Sequence, residues 1–462
     1  MNVPFSRLGL LLGLLVLGEL AVGLFHAPAR WDAGYYLPLA HHVADGLVPY
    51  RDFPSHYPPG GSYLLALLGP EGTRSIEACR LVLYGAHLLQ ALLLVLVLRT
   101  LGHSRTHAFL LGVLLLTWVV AADGLHVKLE PFMGCYLMLG LLVVLRWPSV
   151  PGAFLGGLAL GAALMVKQLS LLLIPALVVL VLTQSRTSRR NSWWRLACLL
   201  AAGALPFALF VLPHQLPFFG TLHQVMTYGA DAGSFSAGGP GPLMLALTTG
   251  PVAMTVLPAM LVLGLACLLL DRSALNLGLL LGLLGASVPL LLRPSTHYVQ
   301  VIAPWALLLV AQLTRHLAGR WTTRPEAAPM LSLLCCAPLA TCLLLNLTGA
   351  YQQLLDRPLE VQKQAAAAIL AALPGQEDVL ILGGPWLHAL TDLTPPGRYY
   401  KFASGLPEIQ ARADSASHVV AFTSSPDTRR TGAWLLGAGF QEHARVEGPE
   451  GAVLYTRSKA PR

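Results

Sequence analysis

Residues 30–68 read "RWDAGYYLPLAHHVADGLVPYRDFPSHYPPGGSYLLALL". The stretch lies between two long apolar runs, 8–25 and 76–99, and carries Asp32, a tyrosine pair, a histidine pair, Asp52 and a His-Tyr-Pro-Pro cluster. Tyr36, Ala40, Val43 and Leu47 recur at four-three-four spacing, which predicts one apolar helical face over 33–47. Such a helix is expected to lie in the plane of a membrane interface, with Pro38 as a cost to it. His41 and His42 fall largely off the apolar face and read as a solvated pair rather than a metal site. The Tyr57-Pro58-Pro59-Gly60 turn ends the stretch before a short re-entry.

The rest of the chain explains why so polar a stretch stands out. Of 462 residues, 55% are hydrophobic and 11% charged, against about 25% charged in a soluble domain. Apolar runs of about twenty residues recur, the length that crosses a hydrocarbon core. They fall at 8–25, 76–99, 106–122, 128–147, 151–167, 169–184, 194–213, 243–270, 274–292, 298–314 and 329–348. That makes about eleven spans, with the count least certain around 151–184. In such a chain a net charge of +8 marks cytoplasmic loops and gives no argument for nucleic acid. The seven cysteines (79, 135, 198, 267, 335, 336 and 342) sit in or beside apolar runs and read as packing residues.

Arginine placement sets the expected orientation. "RTLGHSRTH" (99–107), "QSRTSRRNSWWR" (184–195) and "TRHLAGRWTTRPE" (314–326) fall on one side under an eleven-span count, together with Arg7. That side is expected to be cytoplasmic. The opposite side receives 30–68, "ADGLHVKLE" (122–130), the turn at Lys167, the segment 213–242, "RPSTHY" (293–298) and everything after about 350. "HAPAR" (26–30) offers a signal-cleavage alternative that the long first run argues against. The sequon at Asn346 lies too close to a span to make a good acceptor.

The last part is less apolar. "DVLILGG" (378–384), "HVVAFTSS" (418–425) and "GAVLYTR" (451–457) read as strands. "LEVQKQAAAAILAAL" (359–373) and "TRRTGAWLLGAG" (428–439) read as helices, the second stopping at Gly437 or Gly439. The expected organisation is an all-α polytopic membrane domain over 1–349, with a first outer loop at 26–75 bearing juxtamembrane helices. A small extracytoplasmic α/β domain over 350–462 is expected to follow.

Ionisable residues gather at the outer ends of spans, where a membrane protein has to justify them. They are Asp32; Asp123, Lys128 and Glu130; Lys167; Arg293 and His297; with Tyr35, Asp52, His56, Tyr57 and Tyr298 as further candidates. A cationic set of Lys167, Arg293 and Lys128 suits a lipid phosphate or pyrophosphate. A carboxylate suits general-base removal of a proton from a hydroxyl. Displacing a sugar from a phosphate needs both.

Each residue also has a plain structural reading. Asp32 fits an N-cap for the helix beginning at Ala33. Asp52 fits a local turn or a pair with Arg51, and the two lysines fit span-end cations. Glu130 fits a structural pair, and His297-Tyr298 an interfacial aromatic belt. Glu19, inside the first run, is expected to be buried and paired or neutral.

The stretch resembles the first outer loop of bacterial GT-C-fold membrane glycosyltransferases. The resemblance is to the family 39-like and RgtA/B/C/D-like group, relatives of the lipid A aminoarabinose transferases and the protein mannosyltransferases. It is carried by Asp32, Tyr35-Tyr36, Gly46, Pro49-Tyr50, Asp52-Phe53 and Tyr57-Pro58-Pro59-Gly60, in that order. "KLEPFMGCYLMLGLLVVLR" (128–146), "GGLALGAALMVKQ" (156–168), "HYVQVIAPWALLLVA" (297–311) and "DVLILGGPWLHALTDLTPPGRYYKF" (378–402) resemble later elements of the group.

The resemblance implies transfer of a sugar, with inversion, from a polyprenyl-phosphate donor to an acceptor hydroxyl at the outer face of the plasma membrane. The acceptor would be a glycolipid, polysaccharide or protein of the cell envelope, with membrane lipids as further partners and no nucleic acid. It places the base or acceptor-positioning residue at Asp32, a second acidic position at Asp123 or Glu130, and the phosphate cations at Lys167 and Arg293. Members often carry a second acidic residue directly after the first, where Ala33 stands here, so a reaction without a metal is favoured over one with a divalent ion. A lipid-linked glycan flippase is the alternative, although its usual internal repeats and broken mid-membrane helices are not evident. An O-antigen ligase or polymerase is a third reading.

Overall fold

The computed structural model describes residues 3–30, 32–53, 55, 57–183, 189–223, 262, 264–292, 296–321, 327–336, 359–374, 379–382, 386–391, 393, 416–422, 434–447 and 451–457. A long first helix, α1 (Val3–His26), is followed by three short ones. These are α2 (Ala33–Ala44), α3 (Gly60–Ala66) and α4 (Gly69–Arg74). The bundle continues with α5 (Ile76–Thr100), α6 (Arg105–Val119), α7 (Glu130–Arg146), α8 (Val150–Val166), α9 (Ile174–Thr183) and α10 (Arg189–Val211). Past the undescribed part of the 243–270 run come α11 (Ala274–Leu292) and α12 (Val299–Trp321). Of the expected last span, 327–336 is helical and the remainder lies outside the described residues.

Among the described residues, four helical segments are long and apolar enough to cross a membrane: Arg7–His26, Ile76–Thr100, Asn191–Val211 and Val299–Arg320. Shorter apolar helices pack between them. Polar caps start several helices on time. The hydroxyls of Ser75, Ser104 and Ser149 accept from the backbone N–H groups of Ala78, His107 and Gly152, satisfying donors that the first turn leaves open. The 151–184 region resolves into two helices separated by an extended Lys167 and a 3-10 turn at Gln168–Leu173. α6 passes into a π-helical turn at Val120–Gly124, a feature that tends to mark functional ends of helices.

Small residues let α8 and α10 touch backbone to backbone. A Cβ on Gly157 would stand 2.2 Å from the Leu199 carbonyl oxygen, and one on Gly161 2.4 Å from that of Gly203. Gly157→Val is therefore expected to force the helices apart at a cost of about 1–3 kcal/mol. Thermal unfolding in detergent checks this, and an unchanged melting temperature would count against the packing.

The helix predicted over 33–47 stops at Ala44, because Gly46 takes a left-handed φ of +87° that ends the turn and leaves Leu47 outside. It does not lie free on a membrane surface. Ala33, Gly34, Tyr35, Tyr36, Leu37, Leu39 and Ala40 are all buried, so apolar burial extends well beyond the single face read from spacing. α3 and α4 cover it on one side, and α14 (Trp386–Leu390) of the C-terminal part covers it on another.

That C-terminal part contains α13 (Leu359–Ala372), α14 and a four-stranded sheet of order β1-β2-β4-β3. The strands are β1 (Val379–Leu382), β2 (His418–Phe422), β3 (Phe440–Val446) and β4 (Ala452–Arg457). β1 and β2 are parallel, with Val379 opposite His418; the other pairings are antiparallel. The sheet adds β3 to the three strands read from sequence. "FQEHARV" is an edge strand with Gln441, Glu442 and His443 exposed, so it lacks the apolar run that betrays an inner strand. The described end of the second predicted helix runs 434–437 and stops at Gly439, φ +85°. One apolar core continues from the membrane helices through Leu359, Ile369, Trp386 and Leu387 to Phe422.

Candidate functional site

The site lies where the N-terminus of α2, the turn before α7, the end of α8 and the 3-10 turn Thr296–Tyr298 meet. Asp32 occupies the N-cap position of α2, yet its side chain makes no capping hydrogen bond. It pairs instead with Lys128. Lys128 Nζ lies 3.5 Å from His297 Nδ1, and His297 Nε2 lies 3.5 Å from Glu130 Oε1. Glu130 pairs with Lys167. The result is a linked row of polar side chains: Asp32, Lys128, His297, Glu130, Lys167.

The two ends of this chain differ in exposure. The Glu130–Lys167 pair is sealed, with side-chain exposures of 0% and 3%, whereas Asp32 is 32% exposed above a Lys128 at 5%. Asp32 is the member a ligand reaches. Burial pushes its carboxyl up, but the charge of Lys128, then His297, the Lys128 hydrogen bond and Lys167 outweigh that and hold it below its ordinary value.

Aromatic rings line the lysine end. Lys167 Nζ lies 5.2 Å from the centroid of Tyr57 and 6.0 Å from that of Tyr298, within the range of a cation–π attraction. Tyr57 packs edge-on to Tyr35 at 5.7 Å and tilts against Tyr36 at 5.5 Å. The Tyr57-Pro-Pro-Gly-Gly turn has a physical reason here. A Cβ on Gly60 would meet the Met165 carbonyl oxygen at 2.7 Å, and one on Gly61 would meet Leu129 at 2.5 Å. Bare glycines let the loop settle onto the two segments that carry Lys167 and Glu130, which lays Tyr57 over the ammonium.

The structure thus brings together Asp32, Lys128, Glu130, Lys167, His297, Tyr298, Tyr57 and Tyr35. It does not bring Asp52 into that network. The Asp52 carboxylate accepts from the Val48 N–H at 2.7 Å and from Arg51 at 2.9 and 3.0 Å, closing a local turn. Tyr50 in this turn packs on Phe210, and its hydroxyl donates to the Tyr57 backbone oxygen at 2.6 Å. His56 and Arg293 lie outside the described residues, as does the side chain of Asp123, whose backbone sits in the π turn. Glu19 is half-buried on α1 and makes no ion pair among the described residues.

The histidine pair is half-buried rather than freely solvated. Arg74 lies 3.2 and 3.3 Å from His41 Nε2, which is also 3.4 Å from the Asp45 carboxylate, and His41 Nδ1 lies 3.1 Å from Thr73 Oγ1. His42 stacks on Phe53 at 5.3 Å, and burial, followed by His41, pushes its pKa down to about 4. Both line a cavity of about 440 Å³ between α2, α4 and α14, together with Asp45, Arg74 and His388. The pair looked surface-bound because its cover comes from residues more than three hundred positions later in the chain.

Sequence reading missed the residues that hold Asp32 in place. Arg80, fully buried in α5, donates to the carbonyls of Gly23 and Leu24 at 3.4 and 3.3 Å and of Pro28 at 3.0 Å, tying down the end of α1. His126 Nδ1 lies 3.2 Å from the same Pro28 oxygen. The signal for Arg80 was available: an arginine one turn inside a span needs a partner.

This bundle, with its polar loop between the first two long helices and a small sheet at the C-terminus, has the GT-C fold of integral membrane glycosyltransferases. The structure is similar to ArnT from Cupriavidus metallidurans in the apo state, at a TM-score of 0.61 and 14% identity over 99% of each chain. It is also similar to the same protein bound to undecaprenyl phosphate, at 0.57 and 16% identity over 99% of this chain and 98% of that one. A third similar structure is the Archaeoglobus fulgidus oligosaccharyltransferase with a tethered acceptor peptide. It matches at 0.52 and 11% identity, over 96% of this chain and 74% of that one. No protein-family model and no curated protein sequence matches the chain.

Proposed function

We propose that the protein transfers a sugar from a polyprenyl-phosphate donor to an acceptor hydroxyl at the outer face of the plasma membrane. The observation that carries this reading is a half-exposed carboxylate and a buried lysine–carboxylate relay gathered at one end of the bundle. The ArnT structure with undecaprenyl phosphate supports a lipid-phosphate donor by likeness of fold. The N-terminus would be cytoplasmic and the C-terminal part extracytoplasmic, following the arginine bias.

In this mechanism Asp32 takes the acceptor's hydroxyl proton as the oxygen attacks the anomeric carbon. The bond from that carbon to the phosphate oxygen breaks on the opposite face, so the centre inverts, and the phosphate leaves with the electron pair. Lys167 is sealed with Glu130, contrary to its expected role as a phosphate cation, so the contact falls to Lys128, whose ammonium has three N–H donors and keeps one beyond Asp32 and His297 for a phosphate oxygen. Arg293 would add a second cation from its own loop. We propose that no metal takes part, because Ala33 stands beside Asp32 and lysines already neutralise Asp32 and Glu130.

The test is purified protein in liposomes with undecaprenyl-phosphate sugars and a membrane lipid extract, read by mass spectrometry. The expected result is a sugar-sized mass increment on an acceptor and release of undecaprenyl phosphate. Lipid movement across the bilayer without covalent product would overturn the proposal in favour of a flippase.

The pH dependence follows from the same pair. A carboxyl held below its usual value, about 3.9, stays ionised as pH falls until that lower value is reached. Transfer should therefore keep its base throughout the neutral range. Lys128→Met removes the main lowering charge, so the acid limb of the rate profile should move to higher pH. An unmoved limb would break the link between Lys128 and the base.

A further inference from the structure

Asp32 is three residues from a backbone clamp that belongs to the other end of the chain. The buried side-chain amide of Gln362, on α13, reads both backbone groups of Ala29. Its Oε1 accepts from the Ala29 N–H at 2.7 Å and its Nε2 donates to the Ala29 oxygen at 3.1 Å. On the membrane side Arg80 and His126 hold the preceding carbonyl, that of Pro28. Directly after Ala29, the Arg30 carbonyl accepts from the Ala33 N–H and starts α2. The segment leading into Asp32 is thus gripped from two sides, and its path from Ala29 spans three Cα steps of about 3.8 Å. A carboxamide offers one acceptor and one donor side by side for this pair of bonds.

We propose that Gln362 is a positioning residue for Asp32, so that the C-terminal part sets where the base stands against Lys128. The inference rests on the transferase reading above. Displacing a base by about 1 Å costs on the order of a hundredfold in rate, and drawing Asp32 away from Lys128 also weakens the charge that lowers its proton affinity. The neighbouring Lys363 provides a control: it ties α13 to Glu77 at 2.6 Å without touching Ala29.

The experiment compares wild type, Gln362→Met, Gln362→Glu, Lys363→Met and Asp32→Asn in the liposome transfer assay across pH. Methionine keeps the volume and the helix while removing both hydrogen bonds; glutamate, when ionised, keeps the acceptor oxygens and loses the donor. Folded Gln362→Met is expected to lose at least tenfold in kcat, with donor KM within about twofold and the acid limb at higher pH. Should it fail to fold, Gln362→Glu is read against the same criteria. Lys363→Met is expected to match wild type in rate and profile. A folded Gln362 variant with wild-type kcat and acid limb would overturn the inference, as would equal losses in Lys363→Met. Asp32→Asn as active as wild type would instead remove Asp32 as the base, and a wild type that forms no covalent product would overturn the transferase reading itself, so the failures are distinguishable.

Discussion

Asp32→Asn is expected to lower the rate of transfer by about 10²–10⁴ while leaving the protein folded. Asparagine keeps the shape and the contact with Lys128 but cannot take a proton. Asp32 is also the one member of the charged relay with substantial exposure, at 32%, so the substitution removes chemistry without opening a sealed core. Because Lys128 loses its counter-charge, binding of undecaprenyl phosphate should hold or tighten even as turnover collapses. That split separates a base from a binding residue. Normal expression with undiminished transfer would remove Asp32 from the mechanism.

The second large effect is on stability. Glu130→Ala leaves the Lys167 ammonium sealed against Tyr57 and Tyr298 with no counter-charge. Breaking a buried pair from one side costs about 3–5 kcal/mol, whereas replacing both partners with apolar groups is near neutral. Glu130→Ala should therefore melt well below wild type in detergent. The double variant Glu130→Ala, Lys167→Met should recover most of that loss and remain inactive. Equal melting temperatures for the single and double variants would show that the pair is not what makes Glu130 structural.

Much of this site was legible in the sequence, for one physical reason. Charged side chains at the ends of apolar spans are expensive, so Asp32, Lys128, Glu130, Lys167 and His297 stood out before any fold was known. Sequence could also set Asp32 as cap against Asp32 as ligand, but not decide between them; the choice depends on Lys128, ninety-six positions away. What stayed hidden was cover supplied from far along the chain. α2 read as an interfacial helix because α14 was not known to lie on it. The Gln362 clamp was hidden in an ordinary amphipathic helix, since a glutamine that bonds backbone looks like any surface glutamine. β3 was hidden by its polar edge.

The most direct test of the account is a cryo-EM structure with undecaprenyl phosphate bound. The predicted result is a phosphate within hydrogen-bonding distance, about 3 Å, of the Lys128 ammonium, facing the Asp32 carboxylate. A phosphate seated elsewhere, with Lys128 touching none of its oxygens, would contradict the assignment of this cluster as the place where donor and acceptor meet.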